Sequence, residues 1–343
     1  MNMKREDKNI ISKNFCPKDV QSTFFGREQI TQSRSSLPSS PNPAKQGREK
    51  REKAIVTDQR SDLKSDVTYL GSSETIRETS FNFIEYNESK VLHKKKINNT
   101  FLEWFIGFSE GDGSFIESNN RLFFIINQKE IKILYYIRKN LGFGKVSMYD
   151  GYGRYIVADR KNIDRLIYIF NGNLLLNKTN NRFQNWLNIR NTYSSTKITY
   201  KGSKPLQSID FNESSWLTGF IDAEGCYSAS RKNDKRYKVG FKVCLRFIID
   251  QKDEKELLEK IQSFFGFGYI EKRNTVEGMY RVVFSGRKSI LKCISYLQKY
   301  PLQSIKKVSY LRFVSIYNIL INNKLSSLTK KALKRLERLI KNL

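Results

Sequence analysis

The stretch that decides the fold is WFIGFSEGDG at residues 104–113, because a variant of it, WLTGFIDAEG, recurs at residues 216–225. Four more matches follow in the same order: Gln128 with Gln251, Phe143 with Phe267, Arg160 with Arg287, and Lys178 with Lys306. The spacing between partners grows along the chain from 112 to 128 residues, as short loop insertions would produce. Ordered internal similarity of this kind indicates a duplicated unit, so we expect two similar halves.

Both copies predict the same order of elements, α-β-β-α-β-β-α-α. A helix ends at each acidic motif, and a strand pair follows at residues 115–127 and 226–249. Apolar residues at helical spacing come after each glutamine, and a Gly-Phe-Gly step then ends that helix. Second strand pairs follow at residues 145–158 and 269–284, and each copy closes with two helices. Helices and strands mixed within each copy predict the α+β class.

Composition shifts divide the chain into five parts. The N-terminal part lacks periodicity and contains a Ser/Pro-rich stretch and a charge run, so we expect it to be largely disordered. It is either a basic arm that adds non-specific DNA affinity or an inert extension. The predicted parts are this extension at 1–97, the first half at 98–192, a linker at 193–214, the second half at 215–325, and a basic amphipathic C-terminal helix at 326–343.

The charge balance points to a polyanionic partner. The 343 residues include 62 Lys and Arg against 34 Asp and Glu, a net charge of +28. Mean hydropathy is −0.56, and no apolar run approaches the ~20 residues that a membrane helix needs. We therefore expect nucleic acid as the partner and no membrane association.

The scarcity of histidine restricts the chemistry. The single histidine, His93, lies in a basic stretch, so an active site built on a histidine base or a His/Cys metal cluster is not expected. Cys16, Cys226, Cys244 and Cys293 are scattered without metal-ligand spacing and predict free thiols in a reducing compartment. The chemistry must therefore rest on carboxylates, lysines and amides.

Small residues in the two motifs predict a close helix–helix contact. Residues four apart share a helix face, which pairs Gly107 with Gly111 and Gly219 with Ala223. Such a pair of faces would bring the helix ends together, and with them the two acids at Asp112 and Glu224. Two carboxylates there repel each other and oppose the helix dipole. A hard divalent cation would relieve both effects, and Mg²⁺, or Mn²⁺ in its place, is the expected cofactor.

The two decapeptides resemble the paired motifs of single-chain LAGLIDADG homing endonucleases, a family encoded mainly in organellar introns. The resemblance covers roughly residues 98–325 and includes both glutamine segments and both late lysines. It implies two pseudo-symmetric αββαββα halves, each with a four-stranded antiparallel sheet that forms one wall of a DNA-binding saddle. It also implies that the motif helices form the interface between the halves.

The resemblance assigns roles to individual residues. Asp112 and Glu224 would bind the metal, whereas Glu110 and Asp222 would be structural. The remaining assignments are Gln128 and Gln251 for ordering water around the nucleophile, Lys178 and Lys306 for supporting the scissile phosphate or the attacking water, and Lys307 as the alternative to Lys306. Glu224 departs from the more usual aspartate, and this longer side chain predicts unequal cutting of the two strands.

DNA contacts are expected from alternate residues of the strands, which would face the groove. The candidates are Arg121, Lys145, Arg154 and Arg160 in copy one, and Arg231, Lys232, Lys235, Arg236, Lys238, Lys242, Arg246, Arg273 and Arg281 in copy two. Two unlike sheets in one chain predict a long asymmetric target and a monomeric protein.

The resulting hypothesis is a site-specific, metal-dependent double-strand DNA endonuclease. One alternative is an RNA maturase that assists splicing of its host intron RNA, with or without DNA cleavage. A second is a non-enzymatic DNA-binding regulator, which we would expect to have lost Asp112 or Glu224; neither is lost. The A/T-biased residue usage and the resemblance together favour a mitochondrial origin, with the chloroplast as the alternative.

Overall fold

The computed structural model describes residues 80–89, 97–274 and 276–343. Most of the extension predicted at residues 1–97 lies outside these ranges, as do Cys16 and His93. The other cysteines, Cys226, Cys244 and Cys293, are free thiols, as the sequence predicts.

The first half has the predicted order of helices and strands, and an additional short helix precedes it. Its elements are α1 (Ile84–Glu88), α2 (Asn99–Asp112), β1 (Gly113–Ser118), β2 (Arg121–Gln128), α3 (Ile131–Leu141), β3 (Lys145–Tyr149), β4 (Tyr152–Val157), α4 (Arg160–Phe170) and α5 (Asn177–Thr192).

The second half repeats this order with a longer first pair of strands, and one further helix follows. Its elements are α6 (Trp216–Glu224), β5 (Gly225–Asn233), β6 (Phe241–Lys252), α7 (Lys255–Phe265), β7 (Tyr269–Lys272), β8 (Met279–Phe284), α8 (Arg287–Lys299), α9 (Lys306–Asn322) and α10 (Lys330–Lys341).

The strands form two four-stranded antiparallel sheets of the same topology, in the orders β1-β2-β4-β3 and β5-β6-β8-β7. In both sheets the strand that leaves the motif helix forms one edge. This confirms the α+β architecture of two equivalent halves that the duplication predicts.

Helices cover one face of each sheet and enclose an aromatic core. In the first half this core is built around Phe105, Phe115, Phe124, Phe170, Phe183 and Trp186. In the second half its counterpart contains Tyr227, Phe247, Phe265, Phe284, Tyr310 and Phe313. Burial of large apolar side chains on one face stabilises each half and leaves the opposite face of each sheet for other contacts.

We call the uncovered faces the open faces, and strand alternation defines their residues. In the first sheet they include Ser114, Ile116, Arg121, Phe123, Ile125, Asn127, Lys145, Ser147, Tyr149, Tyr152, Arg154 and Ile156. In the second sheet they include Cys226, Ser228, Ser230, Lys232, Lys242, Cys244, Arg246, Ile248, Asp250, Tyr269, Glu271, Arg281 and Val283.

The structure differs from the expected disorder at residues 80–89. Phe81, Phe83 and Tyr86 are buried. The side chain of Asn173 donates to the carbonyl of Asn82 and accepts from its N–H. The prediction missed this segment because three aromatic side chains within a polar stretch give no sustained periodicity. They fold because the first half supplies the surface that covers them.

The connection between the halves is packed against them. Ile209 and Phe211 are buried within the predicted linker at 193–214. Asn171 holds its earlier part through the carbonyl of Thr199 and the N–H of Lys201. At the other end, α10 packs on α9, and Leu336 of α10 is fully buried. Among the described residues, no helix is both long and apolar enough to cross a membrane.

Candidate active site

The helices α2 and α6 cross at the four small residues that the sequence singles out. A Cβ atom added to Gly107 would lie 2.0 Å from the carbonyl oxygen of Trp216, and one added to Gly219 would lie 1.9 Å from that of Trp104. One turn later, a Cβ on Gly111 would lie 2.4 Å from the Cβ of Ala223. The backbones are in direct contact, so this crossing admits no larger side chain at either central glycine.

Two reciprocal hydrogen bonds join the motif helices. The indole Nε1 of Trp104 donates to Asp222 at 2.9 Å, and that of Trp216 donates to Glu110 at 2.6 Å. Each bond links the first residue of one motif to the seventh of the other. Sequence reasoning placed both acids in a structural role but did not identify these partners. The signal was present, because tryptophan and an acid occupy the same two positions in both copies.

The same two acids fix the segments that lead into the late helices. Glu110 accepts the N–H groups of Leu175 and Leu176, both at 2.7 Å. Asp222 accepts the N–H groups of Gln303 and Ser304, at 2.8 and 3.2 Å. Burial raises the pKa of Glu110 to about 8 and also raises that of Asp222, while these donors favour the ionised form.

This shared anchoring sets the register of the two late lysines. Leu176 and Ser304 occupy equivalent anchored positions, and Lys178 and Lys306 each follow two residues later. Lys306, and not Lys307, is therefore the structural counterpart of Lys178.

The two candidate metal ligands meet where the motif helices end. Asp112 is the last residue of α2 and accepts a hydrogen bond from Nε2 of Gln128 at 2.7 Å. Glu224 is the last residue of α6, and its Oε1 lies 3.3 Å from the position of a Cβ on Gly111. Both carboxylates thus lie at the negative ends of adjacent helices, an environment that favours a bound cation.

The remaining predicted catalytic residues have different surroundings in the two halves. The Nζ of Lys306 donates to the carbonyl of Ala223 at 2.7 Å and to that of Ile221 at 3.3 Å, which offsets part of the negative charge at the end of α6. Lys178 is exposed in the first turn of α5. Gln251 is half-buried on β6, opposite Tyr280.

Seven of the predicted DNA-contacting side chains lie on the open faces: Arg121, Lys145, Arg154, Lys232, Lys242, Arg246 and Arg281. Arg273 follows β7 and reaches the open-face residue Asp250. Arg160 begins α4, and the turn between β5 and β6 carries Lys235, Arg236 and Lys238.

Arg231 lies on the other face of its sheet. It shares the alternation of Tyr227, which packs in the core, and its guanidinium lies 4.0 Å from the centre of the Phe241 ring. An ion pair of 2.9 Å joins it to Glu337 on α10. The crowding of basic residues in this hairpin hid the difference, because sequence density does not reveal which face a side chain takes.

At one equivalent pair of positions the two open faces differ in charge. Arg154 donates to the neutral Asn127 at 2.9 Å in the first sheet. At the matching place in the second sheet, Arg281 makes two bonds of 2.6 and 2.7 Å to Asp250, and Arg273 adds a third of 3.4 Å. An aspartate thus offsets two arginines in the second sheet, whereas the first sheet has only an amide there.

The available ligands are oxygens. Within the described ranges, no three His, Cys, Asp or Glu side chains lie close enough to hold a metal by themselves. Asp112 and Glu224 with the neighbouring carbonyls fit a hard divalent cation that takes its other ligands from water or phosphate.

Comparisons with known proteins agree with this geometry. The family model described as LAGLIDADG endonuclease matches residues 105–190 and 217–317. A Neurospora crassa protein named probable intron-encoded endonuclease 4 is 36% identical over 230 residues, which are 65% of this chain and 41% of that relative. An uncharacterized cox1 intron-2 protein of Schizosaccharomyces pombe is 29% identical over 278 residues, 78% of this chain and 80% of the relative.

Solved structures share the fold at low sequence identity. The I-LtrWI LAGLIDADG homing endonuclease bound to target DNA has a TM-score of 0.57 at 20% identity and covers 72% of this chain and 98% of its own. I-SmaMI, bound to an uncleaved DNA target in the presence of calcium ions, has a TM-score of 0.58 at 18% identity and covers 72% and 99%. Since the family match spans both motifs and both sheets, this chain belongs to the LAGLIDADG endonuclease family.

Proposed function

We propose that this protein is a site-specific double-strand DNA endonuclease of the homing type. The observation that carries the proposal is the meeting of Asp112 and Glu224 at one junction, between two sheets whose open faces carry cationic side chains. A duplex lying across both open faces would present one phosphodiester of each strand near this junction. The two solved structures described above contain DNA, which supports the same partner here.

Asp112 and Glu224 would hold the divalent cation, with Mg²⁺ as the physiological ion. Bound there, the cation would stabilise the charge that develops on the attacking and leaving oxygens of the phosphodiester. The calcium ions present with I-SmaMI support a divalent site in this fold. The longer side chain of Glu224 would place its carboxylate differently from that of Asp112 and make the two strand cuts unequal.

The chain's own groups would orient this centre. Gln128 fixes one oxygen of Asp112 by donating Nε2, which leaves its amide oxygen to accept from water near the phosphate. Lys306 places a positive charge at the end of α6, where an incoming phosphate would find a donor. Lys178 and Gln251 would take the equivalent roles for the other strand.

Recognition would use the open-face cations and the hairpin tip between β5 and β6. Arginines on the strands would reach base edges in the major groove, and residues at the tips would contact phosphates. Arg231 would instead hold α10 against the second sheet. Because one chain supplies two unlike sheets, a monomer would bind a long asymmetric site.

We further propose an organellar, mitochondrial origin for the gene. The relatives include proteins of a cox1 intron and of an ND4 intron, the latter in Podospora anserina. The target would then be the exon junction that exists when the host intron is absent.

The test is cleavage of plasmids that carry intron-less exon junctions, beginning with those of cox1 and ND4. The wild-type protein should linearise one of them with Mg²⁺ and not with EDTA. Asp112→Asn and Glu224→Gln should each lower the rate of linearisation by about 10²–10³-fold and leave nicked circles, because each removes one electrostatic group from the centre. Metal-independent binding of the intron RNA, with no plasmid cut at any junction, would contradict the endonuclease function and favour a maturase.

A further inference from the structure

The helices that begin beside the two late lysines receive no side-chain cap from their own N-cap residues. These residues are Leu176 before α5 and Ile305 before α9, and neither first turn contains an acid. Before α9 the hydroxyl of Ser304 accepts one N–H group, that of Lys306, at 3.2 Å. The first N–H groups of a helix need acceptors, and lysines in the first turn oppose the helix dipole. Other N–H groups at these two helix starts bond to carboxylates from elsewhere in the chain.

In both cases the carboxylate comes from the opposite half. Glu130 of the first half accepts the N–H of Ile305 in the second half at 2.6 Å. Glu254 of the second half accepts the N–H of Lys178 in the first half at 3.2 Å, and also that of Asn177. Asn177 and Ile305 are equivalent positions of the duplication, so one contact is made twice, once in each direction across the interface.

Neither acid serves its own helix. Glu130 and Glu254 occupy the N-cap positions of α3 and α7, yet their side chains make no cap bond there. Burial raises the pKa of both carboxyls, and only 6% of Glu254 is exposed. A buried carboxylate needs compensating donors, and the backbone of the opposite half provides them.

The Glu130 contact completes a path between the two metal-ligand candidates. Gln128, two residues before Glu130, binds Asp112. Glu130 binds the residue before Lys306, and Lys306 binds the carbonyl that precedes Glu224. A three-residue segment of one half thus contacts its own acid and the lysine-bearing helix of the other half.

We propose that Glu130 and Glu254 are positioning residues that act across the interface, Glu130 on Lys306 and Glu254 on Lys178. Their effect on cleavage rests on the proposed endonuclease function, whereas the bonds themselves hold the helix starts in the absence of DNA. Loss of Glu130 therefore impairs the centre served by Lys306, and loss of Glu254 impairs the centre served by Lys178.

The first test measures amide hydrogen exchange by mass spectrometry on the full-length protein without DNA. Glu130→Ala should raise exchange at the start of α9 by about fivefold, the effect of losing a helix cap, and leave the start of α5 unchanged. Glu254→Ala should do the reverse. Glu130→Gln keeps an acceptor oxygen and should restore part of the protection. Glu256→Ala removes a nearby exposed acid and should change neither helix start.

Faster exchange confined to the start of α3 in Glu130→Ala, or equal at both late helices, would overturn the proposal.

The second test follows each strand of a supercoiled plasmid that carries the cleaved junction. Glu130→Gln should slow cutting of the same strand as Lys306→Ala, by about tenfold, and Glu254→Gln that of Lys178→Ala. Slowing of the opposite strand would contradict the assignment. A wild-type protein that cuts no DNA would instead overturn the proposed function, and the exchange result would still decide whether the acids act across the interface.

Discussion

The two halves agree at their shared interface and differ on their open faces. Around the motif helices three contacts are made twice: tryptophan to the opposing acid, acid to the segment before the late helix, and glutamate to the opposite helix start. On the open faces the equivalence ends. The strands β5 and β6 have 9 and 12 residues against 6 and 8 for β1 and β2, and Asp250 stands where the first sheet has Asn127.

This difference separates two physical demands. A phosphodiester is the same on both strands of a duplex, so the interface that positions the centre is constrained in the same way in both halves. The base pairs on the two sides of an asymmetric target are different, so the surfaces that would read them are free to diverge. The four predictions that follow test this separation.

The largest effect should come from the helix crossing, where the halves are most alike. Gly107→Ala and Gly219→Ala each place a Cβ within about 2 Å of a backbone oxygen of the other helix. We expect each variant to lose about 3 kcal/mol or more of unfolding free energy, because the helices must separate. Chemical denaturation measures the loss. Gly286→Ala is the control, since its nearest neighbour, the Oγ of Ser289, would be 3.4 Å away. Equal tolerance at all three glycines would contradict the crossing.

The next effect should reveal that the two buried acids of the interface differ in the number of their hydrogen-bond donors. Trp104→Phe and Trp216→Phe should each lower the free energy of unfolding by about 1–3 kcal/mol, because each removes a donor from a buried carboxylate. The loss should be larger for Trp216→Phe. Glu110 then keeps two backbone donors, whereas Asp222 keeps the two backbone N–H groups and the hydroxyl of Ser304.

Trp186→Phe is the matched control for these two variants, because its indole donates to a neutral backbone carbonyl. A loss at Trp186 as large as that at Trp216 would show that the carboxylate partner is not the source of the effect.

A smaller effect should appear when the residues at one equivalent position of the two open faces are exchanged. Asp250→Asn should strengthen binding of non-specific duplex DNA by up to about tenfold at low salt, because Arg281 and Arg273 lose their counter-charge. Asn127→Asp should weaken binding through Arg154, and the double exchange should return near the wild-type value. Fluorescence anisotropy across a salt series would measure both the affinity and its slope.

Glu259→Gln changes the same charge on α7, away from the open faces. A gain in affinity equal to that of Asp250→Asn would assign the effect to net charge alone.

The last effect should be a pH dependence of stability. Burial raises the pKa of Glu110 to about 8 from an ordinary value of 4.5. A raised carboxyl pKa means that folding favours the protonated form, so this contribution to stability is complete below about pH 4.5 and lost as pH rises through about 8. The unfolding free energy of the wild type should fall between pH 5 and 8 more steeply than that of Glu110→Gln. Parallel pH profiles would show that Glu110 does not titrate in this window.

The sequence predicted the fold and the central residues for identifiable reasons. The order of elements follows from apolar spacing, and the four small residues of the crossing follow from a four-residue interval within one helix. Both acids lie at helix ends because each motif ends its helix. The docking of Phe81, Phe83 and Tyr86 was not predicted, because it depends on a surface formed by residues far along the chain.

Local patterns in the sequence therefore determined the duplication, the element order and the positions of Asp112 and Glu224. Tertiary structure decided which residues of the two halves are structural counterparts and which face of its strand a side chain occupies. Asp253 adopts a positive φ of 59°, and the residue after it, Glu254, makes the contact equivalent to that of Glu130. Arg231 faces the helices while its neighbours on β5 face outward. Adjacent residues of a strand point to opposite faces of the sheet. Which face meets the core depends on pairing and packing with distant segments.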